Sequence, residues 1–180
     1  MRRYLMAIDL RQGATLWFTG LPSAGKTTVA SAVAERLLAQ GYRVEMLDGD
    51  VARQHLTKGL GLSKEDRIEN VRRIGWVANL LSRNGVVVCA SVISPYRSVR
   101  DELRSEHGER FVEIHVATPV EVCAERDVKG LYAKQAAGEI TGLTGVDDVY
   151  EEPLSPEIVL PTQEQSLEES VEQVWRWLHS

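Results

Sequence analysis

The stretch "GLPSAGKTT", residues 20–28, matches G-x-x-x-x-G-K-[ST]. It stands between an apolar, strand-like run "ATLWFTG" (14–20) and a helical pattern "KTTVASAVAERLLAQG" (26–41). A strand that turns through glycines into a helix is a phosphate cradle. Gly20 and Gly25 let the backbone curl so that successive N–H groups converge on phosphate oxygens, and the helix N-terminus adds the positive end of its dipole. In such a loop Lys26 reaches the β/γ-phosphates and the Thr27 hydroxyl holds Mg²⁺. The motif, in this strand–loop–helix context, implies a bound nucleoside triphosphate.

The rest of the chain alternates in the same way. Strand-like runs at 42–48, 86–93, 110–116 and 157–161 are separated by helical patterns at 64–85, 98–106, 119–127 and 166–179. The last has Leu167, Val171, Val174 and Leu178 on one face. The run "VVVCASVI" is apolar throughout, as a strand buried on both faces must be. Alternation of this kind specifies an α/β fold, a parallel β-sheet flanked by helices, with ligands beyond the carboxyl ends of the strands. The chain of 180 residues suits one domain. The segment from about 128 to 150, which contains "GEITGLTGVDD", fits neither strand nor standard helix. It reads as a mobile lid overhanging the ligand edge.

Composition narrows the function. A net charge of −5 argues against a nucleic-acid partner. No apolar run approaches the ~20 residues of a membrane span, and the opening "MRRYLMAIDLRQG", with its short, broken apolar stretch, does not read as a signal peptide. Two isolated cysteines, Cys89 and Cys123, read as buried thiols of a cytoplasmic protein. The four histidines lack metal-ligand spacing. A GTPase would carry N-K-x-D, which is missing, whereas a kinase needs a second, anion-binding pocket and a carboxylate near the transferred phosphoryl group.

Candidates for that pocket are present. In "LDGDVAR" (47–53), Asp48 and Asp50 emerge where the second strand ends. One carboxylate can orient an acceptor hydroxyl and the other the metal's water shell, or both belong to an Asp-Gly turn with a helix cap. On the helix 64–85 the apolar stripe Val71, Ile74, Ala78, Leu81 extends backward to Arg67 and Asn70. An inward-facing arginine needs an anionic partner, unless it snorkels or pairs with Asp66 or Glu69. Arg53 and Lys58 add positive charge nearby. In "VISPYRSVR", Pro95 is expected to start a helix, with Ser94 as its cap or at the strand end, and Arg97 and Arg100 face phosphate or solvent.

The order of "GLPSAGKTT", "LDGDVAR", "KEDRIENVRRIGWVA", "ISPYRSVR", "ERDVKGLY" and "GEITGLTGVDDVYEEPLSPEIVL" resembles the adenylylsulfate kinases, from about residue 13 to the C-terminus. The resemblance implies a P-loop kinase fold, commonly dimeric. It also implies transfer of the γ-phosphoryl of MgATP to the 3′-hydroxyl of adenylyl sulfate, giving PAPS and ADP. By position, Gly20, Leu21, Pro22, Ser23, Ala24, Gly25, Lys26, Thr27 and Thr28 would hold ATP, with Arg126 near its adenine. Thr27 and Asp50 would serve the metal. Asp48, Arg53, Arg67, Asn70, Ile93 and Ser94 would hold the acceptor, and Ser94 matches a serine described in the family as a phosphoserine intermediate. Lys129, Gly142 and Leu143 would come from the lid, and Leu62 from the turn before the long helix. Lys26, Asp48, Asp50 and Ser94 are the catalytic candidates.

The sequence departs from the family at Leu62 and Leu143, where phenylalanines usually sandwich the acceptor's adenine. Leucine forgoes base stacking worth about 1–3 kcal/mol per base. Thr141 stands where lysine is usual and Val149 where proline is. Two alternatives follow: a kinase of the same fold for another nucleotidyl-linked anion, or a non-catalytic ATP-binding regulator.

Overall fold

The computed structural model describes residues 8–180. The first seven residues of the opening segment discussed above lie outside that range. Five parallel strands form one sheet: β1 (Ala14–Thr19), β2 (Val44–Asp48), β3 (Val87–Ser91), β4 (Phe111–Val116) and β5 (Ile158–Leu160), in the order β2-β3-β1-β4-β5. Every residue of β1, β3 and β4 is buried, so these strands can be apolar on both faces. Successive side chains alternate between two cores: Leu16 and Phe18 join one, Trp17 the other.

The helices are α1 (Lys26–Ala39), α2 (Gly49–His55), α3 (Lys64–Ser82), α4 (Arg97–His107), α5 (Val120–Arg126), α6 (Leu131–Ala136) and α7 (Leu167–Leu178). One core gathers α1 and α7 over the sheet; the other gathers α3 and α4 on the opposite face. Val71, Ile74 and Ala78 are buried as the stripe requires. Gly75 lets α4 come close, since a Cβ there would lie 2.2 Å from Leu103 Cδ2. On α7, Val174 and Leu178 are buried, but Leu167, at the first position of the helix, is exposed.

The structure corrects several local readings. Pro95 does not start a helix. α4 begins two residues later with Tyr96 as its N-cap, so Ser94 caps nothing. Arg100 faces neither phosphate nor solvent. It is 1% exposed and donates to Glu113 Oε1 at 2.8 Å, to the Ser94 carbonyl at 2.6 Å and to the Glu151 carbonyl at 2.5 Å. Arg97 binds the Glu152 carbonyl. Burying a guanidinium is tolerable only with such complete pairing. Two short helices have no range in the sequence reading, although a helix cap at Asp48 or Asp50 is one alternative there. α2 is capped by Asp48, and α6 by the Asp127 carboxylate, which accepts from the Tyr132 and Ala133 N–H groups. Cys89 and Cys123 are buried and free; burial pushes the Cys89 thiol up to about 12.

Candidate active site

A cavity of about 780 Å³ opens at the carboxyl ends of the strands. The turn from β1 into α1 forms one wall. Gly20, Ser23 and Gly25 have φ values of 153°, 62° and 100°. A Cβ on Gly20 would lie 2.6 Å from the Val116 carbonyl oxygen. Gly25 is the N-cap of α1 and offers no side-chain cap, so the first N–H groups of the helix are left for a ligand. Pro22, Ser23, Gly25, Lys26, Thr27 and Thr28 line the cavity, while Gly20, Leu21 and Ala24 shape the loop from behind. The Lys26 ammonium donates to the Leu21 carbonyl at 2.7 Å, and burial pulls it down to about 8. The Tyr132 hydroxyl donates to the Pro22 carbonyl at 2.9 Å, tying α6 to the loop. Arg126 also touches the loop: it donates to the Ala24 carbonyl at 3.2 Å and to the Thr162 carbonyl at 2.9 Å.

The Thr27 hydroxyl donates to Asp48 Oδ2 at 2.9 Å and lies 2.9 Å from Ser91 Oγ. Asp48 and Ser91 are neighbours because β2 pairs with β3 in register there. Asp48 Oδ1 meanwhile accepts from the Asp50 N–H at 2.9 Å, so one carboxylate caps α2 and meets Thr27. Asp50, assigned to the metal from sequence, is not placed against Thr27. It sits in the first turn of α2, exposed, and pairs with Lys129 across the cavity mouth.

The opposite wall is cationic. Arg67 and Asn70 are buried and line the cavity with Arg53. Burial, and then the charge of Arg67, push the Arg53 guanidinium below its usual value. Two like charges converging on a cavity favour an anion between them. Thr57, which sequence reasoning passed over, is buried and donates to Asn70 Oδ1 at 2.7 Å. That bond leaves the amide NH₂ of Asn70 to donate. Lys58 is exposed and outside the cavity wall.

Ile93 and Ser94 form the floor. Ser94 has φ 42° and is buried. Its hydroxyl accepts from Trp17 Nε1 at 3.0 Å and donates to Thr19 Oγ1 at 2.9 Å. Thr19 donates in turn to the Ile93 carbonyl at 2.7 Å and lies 3.0 Å from the Tyr150 hydroxyl. Trp17 and Thr19 carried no sequence signal, because both sit in a strand that reads as pure core.

The segment 142–148 packs on this edge. A Cβ on Gly145 would lie 2.4 Å from Leu21 Cδ2. Leu62 and Leu143, expected around one base, flank the Arg67 guanidinium, which donates to the carbonyls of Leu62 and of Gly142. Leu62 is 61% exposed on the turn before α3, and Leu143 is 6% exposed within the larger core. Neither lines the cavity, nor does Gly142, whose carbonyl accepts from Arg67.

A parallel sheet in this order, with a phosphate loop after β1 and a cationic pocket facing it, defines a P-loop kinase. The model of the family described as adenylylsulphate kinase matches residues 12–161. The adenylyl-sulfate kinase of Rippkaea orientalis is 58% identical over 168 residues, covering 93% of this chain and 92% of that protein. That of a Picosynechococcus species is 58% identical over 167 residues, covering 93% and 94%. The Mycobacterium tuberculosis APS kinase CysC, solved with AMPPNP and APS, superposes with a TM-score of 0.89 at 41% identity, covering 94% of this chain and 99% of that one. The chain belongs to the adenylylsulphate kinase family.

Proposed function

We propose that the chain transfers the γ-phosphoryl of MgATP to the 3′-hydroxyl of adenylyl sulfate, giving PAPS and ADP. The observation that carries this reading is a single cavity. It joins Lys26 and Thr27 at the triphosphate side to Arg53, Arg67 and Asn70 at an anion-binding side. Phosphoryl transfer asks the protein for positioning and electrostatic stabilisation more than for covalent chemistry.

In this reading Lys26 leaves the Leu21 carbonyl for the β/γ-phosphates. A bound magnesium would supply neutralisation of the charge that develops on the phosphate oxygens. The Thr27 hydroxyl and the Asp48 carboxylate are hard oxygen donors that suit it. Arg53, Arg67 and Asn70 take the phosphate–sulfate group of the acceptor. Asp48, at the end of β2, is better placed than Asp50 to serve the reacting centre, while Asp50 orders Lys129 at the mouth. Ser94 shapes the floor through Trp17 and Thr19, and transfer runs directly from ATP to acceptor. Arg126 supports the nucleoside end of ATP from the phosphate loop.

The same proposal takes residues 1–180 as one domain with a lid at about 128–150, acting as a cytoplasmic homodimer. The free, buried cysteines support a reducing compartment. Among the described residues no helix is long and apolar enough to cross a membrane.

A second reading, the same chemistry on another nucleotidyl-linked anion, draws on leucine at both 62 and 143, where adenylylsulfate kinases usually carry phenylalanine. One assay decides: purified protein, MgATP and a panel of nucleotidyl acceptors, following ADP release. The expected result is turnover with adenylyl sulfate. Turnover only with a non-adenylyl acceptor replaces it with the second reading. Tight ATP binding without turnover on any acceptor makes the protein a regulator.

A further inference from the structure

Arg67 carries five N–H donors on one planar fork. Three are engaged by the protein: Nε with the Leu62 carbonyl at 2.8 Å, Nη1 with Thr144 Oγ1 at 2.7 Å and Nη2 with the Gly142 carbonyl at 2.5 Å. The Asp148 carboxylate lies 3.4 Å from Nε. Two N–H groups, one on each terminal nitrogen, remain for a ligand. The orientation of a buried guanidinium is therefore set by the Leu62 carbonyl at Nε and, at both terminal nitrogens, by the segment 142–148, which lies 75 or more residues away in sequence.

That segment is built to hold its shape. The Asp147 carboxylate accepts from the Gly142 N–H at 2.9 Å and the Leu143 N–H at 2.6 Å. The Leu143 carbonyl accepts from the Val146, Asp147 and Asp148 N–H groups, and the Asp148 carbonyl from the Gly145 N–H. Thr144 is 1% exposed at the centre of this tight loop. Its hydroxyl is the only side-chain hydroxyl that meets Arg67 among the described residues, accepting there from Nη1.

We propose that Thr144 is a positioning residue for the acceptor: its hydroxyl, held in the Asp147-braced loop, fixes the rotation of the Arg67 fork so that the two remaining N–H groups face the acceptor's anion. Thr144 does not touch the acceptor, and its effect passes through Arg67. This deepens the reading of Arg67 as an acceptor-binding residue and rests on it. It also gives the glycine-rich segment a second task besides cover. Its two glycines, Gly142 and Gly145, allow the tight turn that presents a carbonyl, a hydroxyl and a carboxylate to one arginine.

The test pairs Thr144→Val, which keeps shape but removes the hydroxyl, with Thr144→Ser, which restores it. In the ligand-free protein, nitrogen NMR of the Arg67 guanidinium, assigned by its loss in Arg67→Lys, should show slowed rotation in wild type. Thr144→Val should release it and Thr144→Ser should not. In steady-state assays Thr144→Val should raise KM for adenylyl sulfate on the order of tenfold, the scale of a hydrogen bond to a charged group, and leave KM for ATP within about twofold. In an Arg67→Ala background the same change should add nothing. An unchanged guanidinium signal, equal effects on both KM values, or a full Thr144→Val effect without Arg67 overturns the proposal. If wild type does not use adenylyl sulfate, the functional reading fails on that result, while the guanidinium signal decides the role of Thr144 by itself.

Discussion

The Lys26 ammonium donates to the Leu21 carbonyl at 2.7 Å, so the lysine of the phosphate loop is folded onto its own loop. A buried ammonium with one neutral partner is poorly solvated, and it is pulled down to about 8. A triphosphate offers the negative charge that this environment lacks. Below its pKa the ammonium is charged and can take the phosphates; above it the group is neutral and the attraction is lost. The kcat/KM for ATP should therefore fall as pH rises through about 8, by about tenfold per pH unit once well above it, because this parameter reports free-enzyme ionisations. Steady-state kinetics across this range check it, and a flat profile there removes Lys26 from the limb.

Arg67→Ala should raise KM for the acceptor about 100-fold and KM for ATP by less than about threefold, since the charged hydrogen bonds lost belong to the anion side of the cavity. Initial-rate measurements with each substrate varied separately decide it. Equal effects on both would refute the assignment.

Ser94→Ala should retain turnover within about tenfold of wild type, and no phosphate should remain on the protein after acid quenching with labelled ATP. The buried Trp17 N–H then loses its acceptor, so the thermal midpoint should drop, corresponding to about 1–3 kcal/mol. Loss of all activity together with a trapped phosphoserine in wild type would restore the covalent route.

Leu143→Phe should destabilise the protein by about 1–3 kcal/mol in urea unfolding, because a larger ring must enter a filled part of the core. Adenylyl sulfate affinity should not improve. Tighter binding with unchanged stability would mean that this side chain turns to the acceptor's base.

Most of the framework was legible in the chain itself. The five strands and the helices α1, α3, α4, α5 and α7 follow from apolar runs, helical periods and glycine stops, because each depends on neighbours within a few residues. The phosphate loop is equally local: Gly20, Ser23 and Gly25 hold positive φ, and their spacing is written in one nine-residue motif. Even the inward aim of Arg67 and Asn70 could be read, since a helix fixes the face on which each residue lies.

What the sequence could not decide were the pairings between residues far apart. Asp48 rather than Asp50 reaches Thr27 because β2 lies beside β3, and strand order is a property of the assembled sheet. Arg100, expected to face phosphate or solvent, is paired with Glu113 from β4 and donates to two carbonyls. Thr57 supports Asn70 and Thr144 orients Arg67 across 13 and 77 residues. A hydroxyl carries no periodic signal of its own. Its role appears only when folding removes water from around it and leaves one partner within reach.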